Sequence, residues 1–177
     1  ATGQPVDPAV DVVKCRGQHI KPLARTVVLM MNKPRGFLCT NDDSHGGQTV
    51  FDMVPPEYRP LRLFCVGRLD KDSEGLLLLT NDGALANKVM HPSGGIIKRY
   101  EITLNRDYDP TLTPRLLKGA VEEGEMLRFK KVIRHPEDPT RLEIHLDQGR
   151  KREIRRLLEI FGFHVKGVLA LLHSQTD

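Results

Sequence analysis

The segment GRLDKDSEGLLLLTNDG, residues 67–83, decides how the rest of the chain is read. Asp70, Asp72 and Glu74 alternate with other residues, a glycine follows, and then four leucines. Alternating acids before a glycine suggest a calcium loop; acids at the mouth of a buried strand suggest an active site. An EF-hand loop starting at Asp70 needs Asp or Asn at its fifth position and a bidentate Glu at its twelfth. Those positions hold Glu74 and Asn81. The loop must also sit between helices, yet LRLFCV (61–66) and LLLLT (76–80) read as strands. The leucine run, with no alternation, predicts burial on both faces. This excludes calcium and places the acids beside buried strands, where an acid is costly unless paired.

Working outward, VVLMM (27–31) is a short apolar run that predicts a buried strand, with FLCT (37–40) as its partner after the turn at Pro34-Arg35-Gly36. NDDSHGGQ (41–48) reads as a polar loop. NDGALANKVMHP (81–92) predicts a helix capped by Asn81 or Asp82 that stops before Pro92. RYEITLN (99–105) and RLEIHL (141–146) alternate as strands, the second with Leu142, Ile144 and Leu146 on one face. PTLTPRLLKGAVEEG (110–124) predicts a helix ending near Gly119, and GRKREIRRLLEIFG (149–162) a helix closed by Gly162. FHVKGV (163–168) starts one more strand. The sum is an α+β fold with a mostly antiparallel central sheet. Residues 1–24 read as a turn-rich remnant or linker, and 25–177 as one domain.

At 177 residues, 39% hydrophobic and 28% charged, the chain is an ordinary globular protein. Its longest apolar runs fall far short of the ~20 residues of a membrane span, and no secretory signal is visible. Cys15, Cys39 and Cys65 are odd in number and lack CxxC spacing, which argues against disulfides and zinc and for a reducing, cytoplasmic setting. His19, His45, His91, His135, His145, His164 and His173 are scattered, none at a metal-binding spacing, so no metal is expected. Ser73 has no evident His partner for hydrolase chemistry. Aromatics are only 5%, so stacking on many bases is not the main binding mode.

The net charge of +4 is mild, but GRKREIRR (149–156) gathers Arg150, Lys151, Arg152, Arg155 and Arg156 into one run, suited to phosphate oxygens. On the predicted helix, Ile154, Leu157, Leu158 and Phe161 share the core face. Arg155 and Lys151 lie at its edge, with Arg152, Arg156 and Glu159 toward solvent.

With these blocks in view, the chain resembles the ribosomal RNA pseudouridine synthases, in the branch that carries an N-terminal alpha-L RNA-binding domain. The opening segment resembles their signature. MNKPRG (31–36), KRYEITL (98–104) and DQGRKREIRRLLEIFGFHV (147–165) resemble three further blocks in the family's order. The resemblance implies Asp70 as the catalytic aspartate, paired with Arg155. It implies Tyr100 as the ring that stacks on the target uracil and assists proton removal, and Arg68 as the group that fills the space of the extruded nucleotide. Lys33, Lys98, Arg150 and Lys151 would contact RNA phosphates or support the site, and Arg152 and Arg156 would meet RNA.

The implied reaction breaks a carbon–nitrogen glycosidic bond, rotates the uracil and remakes the bond through carbon, with no cofactor. The carboxylate could attack the sugar or the base, or remove a sugar proton; the sequence does not choose among these. LANKVMHPS (85–93) leans toward large-subunit members, acting as a monomer on ribosomal RNA. A non-catalytic RNA-binding relative, and a synthase for small-subunit or transfer RNA, are the alternatives. Residues 1–24 resemble the tail of the alpha-L domain without its helical part. GVLALLHSQTD (167–177) departs from the family's closing segment, where an Arg-containing strand and a Leu/Gly-rich stretch are expected.

Overall fold

The computed structural model describes residues 7, 11–20, 25–40, 46–91 and 94–171. Two short strands, β1 (Val13–Cys15) and β2 (Gln18–Ile20), form an antiparallel hairpin of their own. Most of the expected loop 41–48, and residues 172–177 of the C-terminal segment, lie outside the described residues.

The body is a seven-stranded sheet. β3 (Val28–Lys33), β5 (Glu74–Thr80), β11 (Val165–Leu171), β6 (Lys98–Leu104), β10 (Arg141–Leu146) and β9 (Lys131–Arg134) follow one another across it, and β4 (Phe64–Val66) also pairs with β5. All pairings are antiparallel except β11 with β5. Helices α1 (Gly83–Met90), α2 (Thr113–Lys118) and α3 (Glu153–Ile160) flank it, with a small hairpin of β7 (Ala120–Glu122) and β8 (Glu125–Leu127). The fold is α+β with a mostly antiparallel sheet.

Two apolar clusters hold it. The larger joins Ile102, Leu104, Leu142, Ile144 and Leu146 of the sheet to Ile154, Leu157 and Leu158 of α3. The smaller joins Leu77 and Leu79 to Val50, Val54 and Leu63. Each such side chain, fully buried, contributes roughly 1.5–3 kcal/mol. The alternation of RLEIHL thus lies on the core face as its period dictates. Asp82 caps α1 by accepting from the Ala84 and Leu85 N–H groups.

Three local expectations are corrected. FLCT is not a strand: Leu38 makes an isolated bridge to Thr49, and β3 pairs with the leucine strand instead. That pairing packs Leu29 and Met31 against the smaller cluster. The leucine strand is not buried on both faces. Leu77 and Leu79 are buried, while Leu76 and Leu78, on the face away from the smaller cluster, are half-buried. The basic run is helical only from Glu153 on, with Arg152 in the left-handed region at φ 52°. Glu153 turns its buried carboxylate back onto the loop. It accepts from the Arg150 N–H at 3.1 Å and the Gln148 side-chain amide at 2.5 Å, which fixes residues 148–152 as a turn. Lys151 and Arg155 therefore do not share a helical edge.

Candidate active site

The turn at residues 67–73 joins β4 to β5. Its shape is set from below by Lys33. This lysine is the last residue of β3 and is fully buried. Its ammonium donates to the carbonyls of Ser73 at 2.7 Å, Pro34 at 3.0 Å, Asp70 at 3.1 Å and Lys71 at 3.4 Å. A buried cation is tolerated when such oxygens replace water. Burial lowers the Lys33 pKa, and the negative groups Cys39, Asp72, Asp70 and Glu74 oppose that shift. Of the two roles open to Lys33 from sequence, phosphate contact is excluded by its burial; it supports the turn.

The strand that leaves the turn is locked as well. Gly75 has φ +109°, and a Cβ there would come within 2.3 Å of the Ala170 carbonyl oxygen of β11. Only glycine lets these two strands approach so closely. Ser73 and Asp70 close the turn with an N–H to carbonyl bond of 3.0 Å.

Asp70 is half-buried at the crest of this turn. Among the described residues its carboxylate holds no hydrogen bond or ion pair, and the groups that feel its charge are Lys33 and Tyr100. Tyr100 stands on β6 opposite Ile144 and Ala170, with its ring against the larger cluster. Its phenol is pushed up to about 12, by burial first, then by the charges of Glu153 and Asp70. It is neutral at physiological pH and can serve as a flat platform or a proton donor.

Arg155 projects inward from α3 and is buried, as the helix face requires. Its partner is not Asp70. Nη1 donates to the Val165 carbonyl at 2.6 Å, and Nη2 lies 3.2 Å from Asp72 Oδ2. Arg152 adds a second contact to Asp72, at 3.4 Å. The expected Asp70–Arg155 pair is therefore corrected to Asp72–Arg155. The reason is geometric: successive residues of the turn point to different sides, and Asp72 is the one facing α3.

The remaining basic residues divide into two groups. Arg68, on the turn, and Lys151 and Arg152, on the loop before α3, are exposed. Lys98 is half-buried, and its ammonium lies where a side chain at Gly149 would collide with it, 2.9 Å from such a Cβ. Arg150 is half-buried and pairs with Glu125 at 3.3 Å. Arg156 does not face solvent. It is held by Glu122 and by Glu125 at 2.6 Å, which fastens the β7–β8 hairpin to α3. Its place in the RNA-contacting set is corrected: two carboxylates already occupy its guanidinium.

Two groups of the site were not singled out from sequence. Glu153 lies inside the GRKREIRR run, where an acid among five cations is a signal for an internal partner. Arg35 bridges to Glu74 at 3.2 Å across the turn. It sits in the MNKPRG block, but nothing in its own spacing marks it. Among the described residues no group of three or more potential metal ligands occurs, and no helix is long and apolar enough to cross a membrane.

The arrangement offers, among the described residues, a carboxylate without an ion-pair partner, a neutral phenol that feels its charge, and exposed cations at Arg68 and Arg152. That set fits covalent or proton-transfer chemistry on a nucleoside held by a polyanionic chain. Comparison with known proteins agrees. Residues 27–159 match the family described as RNA pseudouridylate synthase. An uncharacterized RNA pseudouridine synthase of Mycobacterium tuberculosis is 37% identical over 171 residues, covering 94% of this chain and 67% of that protein. The ribosomal large subunit pseudouridine synthase B of Haemophilus influenzae is 39% identical over 154 residues, covering 83% of this chain and 42% of that protein. The chain thus spans about two thirds of the first relative's length and under half of the second's. A crystal structure of a pseudouridylate synthase superposes with a TM-score of 0.76 over 97% of this chain and 73% of that one; at 23% identity this is a likeness of fold. The chain belongs to the RNA pseudouridylate synthase family, isomerases that act on RNA.

Proposed function

We propose that this chain isomerises a uridine of large-subunit ribosomal RNA to pseudouridine, as a cytoplasmic monomer without cofactor or metal, using Asp70 as the reacting carboxylate. The observation that carries this reading is the contrast between neighbouring acids. Asp72 is paired with Arg155 and Arg152, whereas among the described residues Asp70 has no ion-pair partner and its charge is felt by Tyr100.

The target base must leave its stack to reach Asp70, and the extruded uracil needs a flat, dry surface. Tyr100 offers one, with its phenol held neutral. Arg68 lies on the solvent side of the turn, where it can fill the gap left by the base. Arg152 reaches the turn through Asp72, and Lys98, Arg150 and Lys151 offer further positive charge for the backbone phosphates. Lys33 holds the carbonyls of Asp70, Lys71 and Ser73, so the carboxylate is presented by a rigid backbone rather than a mobile loop. The large-subunit target rests on the name of the Haemophilus influenzae relative and on the LANKVMHPS phrase.

The test is tritium release. Making the new carbon–carbon bond displaces the hydrogen on uracil carbon 5, so RNA labelled there loses tritium to water. Release from large-subunit RNA, absent with small-subunit and transfer RNA, supports the proposal. RNA binding without release from any of the three contradicts it.

A further inference from the structure

Two thiols with no part in this chemistry meet beside the Asp70 turn. Cys65 lies on β4 opposite Leu79, and Cys39 follows the Leu38–Thr49 bridge. Both are half-buried and reduced, and they share a hydrogen bond. Together they line a pocket of about 270 Å³ whose wall also includes Phe51, Phe64, Gly67 and Arg68. Cys39 Sγ accepts the Leu69 N–H at 3.5 Å, one residue before Asp70.

The pair is electrically unequal. Cys39 is drawn down to about 6, chiefly by the hydrogen bond from Cys65, with the Leu69 N–H and the charges of Lys33 and Arg68 adding to it against burial. The same bond and burial push Cys65 up. The shared contact makes Cys39 the more acidic of the two thiols and the one favoured as thiolate, the nucleophilic form of the side chain.

We propose that Cys39 and Cys65 are a peroxide-reactive thiol pair, closing to an intramolecular disulfide that loosens the Asp70 turn. The Cys39 thiolate attacks one oxygen of hydrogen peroxide. The O–O bond breaks, hydroxide leaves and is protonated to water, and Cys39 becomes a sulfenic acid. The Cys65 sulfur then attacks the Cys39 sulfur; the S–O bond breaks, and the departing oxygen takes the Cys65 proton and leaves as a second water. Two thiols are oxidised and one peroxide is reduced. Closure redirects Cys39 Sγ from Leu69 to Cys65, so the Leu69 N–H loses its sulfur acceptor. The effect on activity rests on the proposed role of Asp70; the disulfide itself does not.

The experiment treats the reduced full chain with hydrogen peroxide, blocks remaining thiols with N-ethylmaleimide and maps the peptides. A peptide linked through Cys39 and Cys65, lighter by two hydrogens than its parts, is expected, with Cys15 alkylated. In Cys65→Ser the oxidation stops at a Cys39 sulfenic acid that dimedone traps. Absence of the linked peptide overturns the pair. On the oxidised chain, amide hydrogen exchange in residues 67–73 should quicken, and tritium release should fall about tenfold or more and return with dithiothreitol. A disulfide with unchanged exchange at 67–73 overturns the coupling, whether or not the chain releases tritium. Failure of untreated protein to release tritium counts against the proposed function alone.

Discussion

Arg155 pairs with Asp72 and leaves Asp70, two residues away, without an ion-pair partner among the described residues. Through Nη1 it also holds the Val165 carbonyl at 2.6 Å, so one guanidinium ties α3, the start of β11 and the turn. The pair frames the site without engaging the carboxylate proposed to react.

The two sides of that pair should therefore differ on mutation. The Asp72 side chain is 50% exposed, so Asp72→Asn should cost at most about 1 kcal/mol of stability. Arg155→Ala also strands a buried carbonyl and should cost about 2–3 kcal/mol. Urea unfolding of both variants checks this; equal costs would contradict the assigned geometry.

Lys33 should behave as a structural cation. Lys33→Met removes the donor for four carbonyls and should destabilise by about 2–4 kcal/mol in the same assay. The salt dependence of RNA binding should not change. A shallower salt slope with unchanged stability would mean that Lys33 reaches phosphate.

Lys151 and Arg156 should show the reverse contrast, although they are neighbours in one basic run. Lys151→Ala, at an exposed position, should weaken RNA binding and reduce the salt slope by about one, with stability unaffected. Arg156→Ala should keep the slope and lower the urea midpoint, because Glu122 and Glu125 lose their shared partner. Filter binding across a salt series, with urea unfolding alongside, separates the two.

Tyr100 should titrate late. Its phenol is raised from 10.0 to about 12, so below pH 10 the folded and unfolded states both keep the proton. Between about 10 and 12 only the unfolded chain loses it. Stability then falls with rising pH, by about 1.4 kcal/mol per unit from this group. In an ultraviolet titration, Tyr100→Phe should remove a step near pH 12; a step removed near 10 would place the ring in water.

Much of this site was legible in the chain. The period of RLEIHL and the spacing of Ile154, Leu157 and Leu158 report burial directly, because a core face repeats with its own secondary structure. The leucine strand was legible as a strand but not in its exposure, since four leucines carry no alternation to say which face is covered. The partner of Arg155 was not legible: Asp70 and Asp72 are chemically identical, and only the direction of each residue on a tight turn separates them. Likewise Arg156 looks like every other arginine of its run until the β7–β8 hairpin brings Glu122 and Glu125 to it from thirty or so residues earlier. Such contacts depend on chain path, which composition and spacing do not encode.

The most direct measurement compares tritium release from carbon-5-labelled large-subunit RNA for wild type, Asp70→Asn and Asp72→Asn. Asp70→Asn should abolish release while binding RNA normally. Asp72→Asn should keep release, slowed by roughly ten- to a hundredfold through misplacement of the turn. Release that survives in Asp70→Asn and vanishes in Asp72→Asn would contradict the assignment of the working carboxylate.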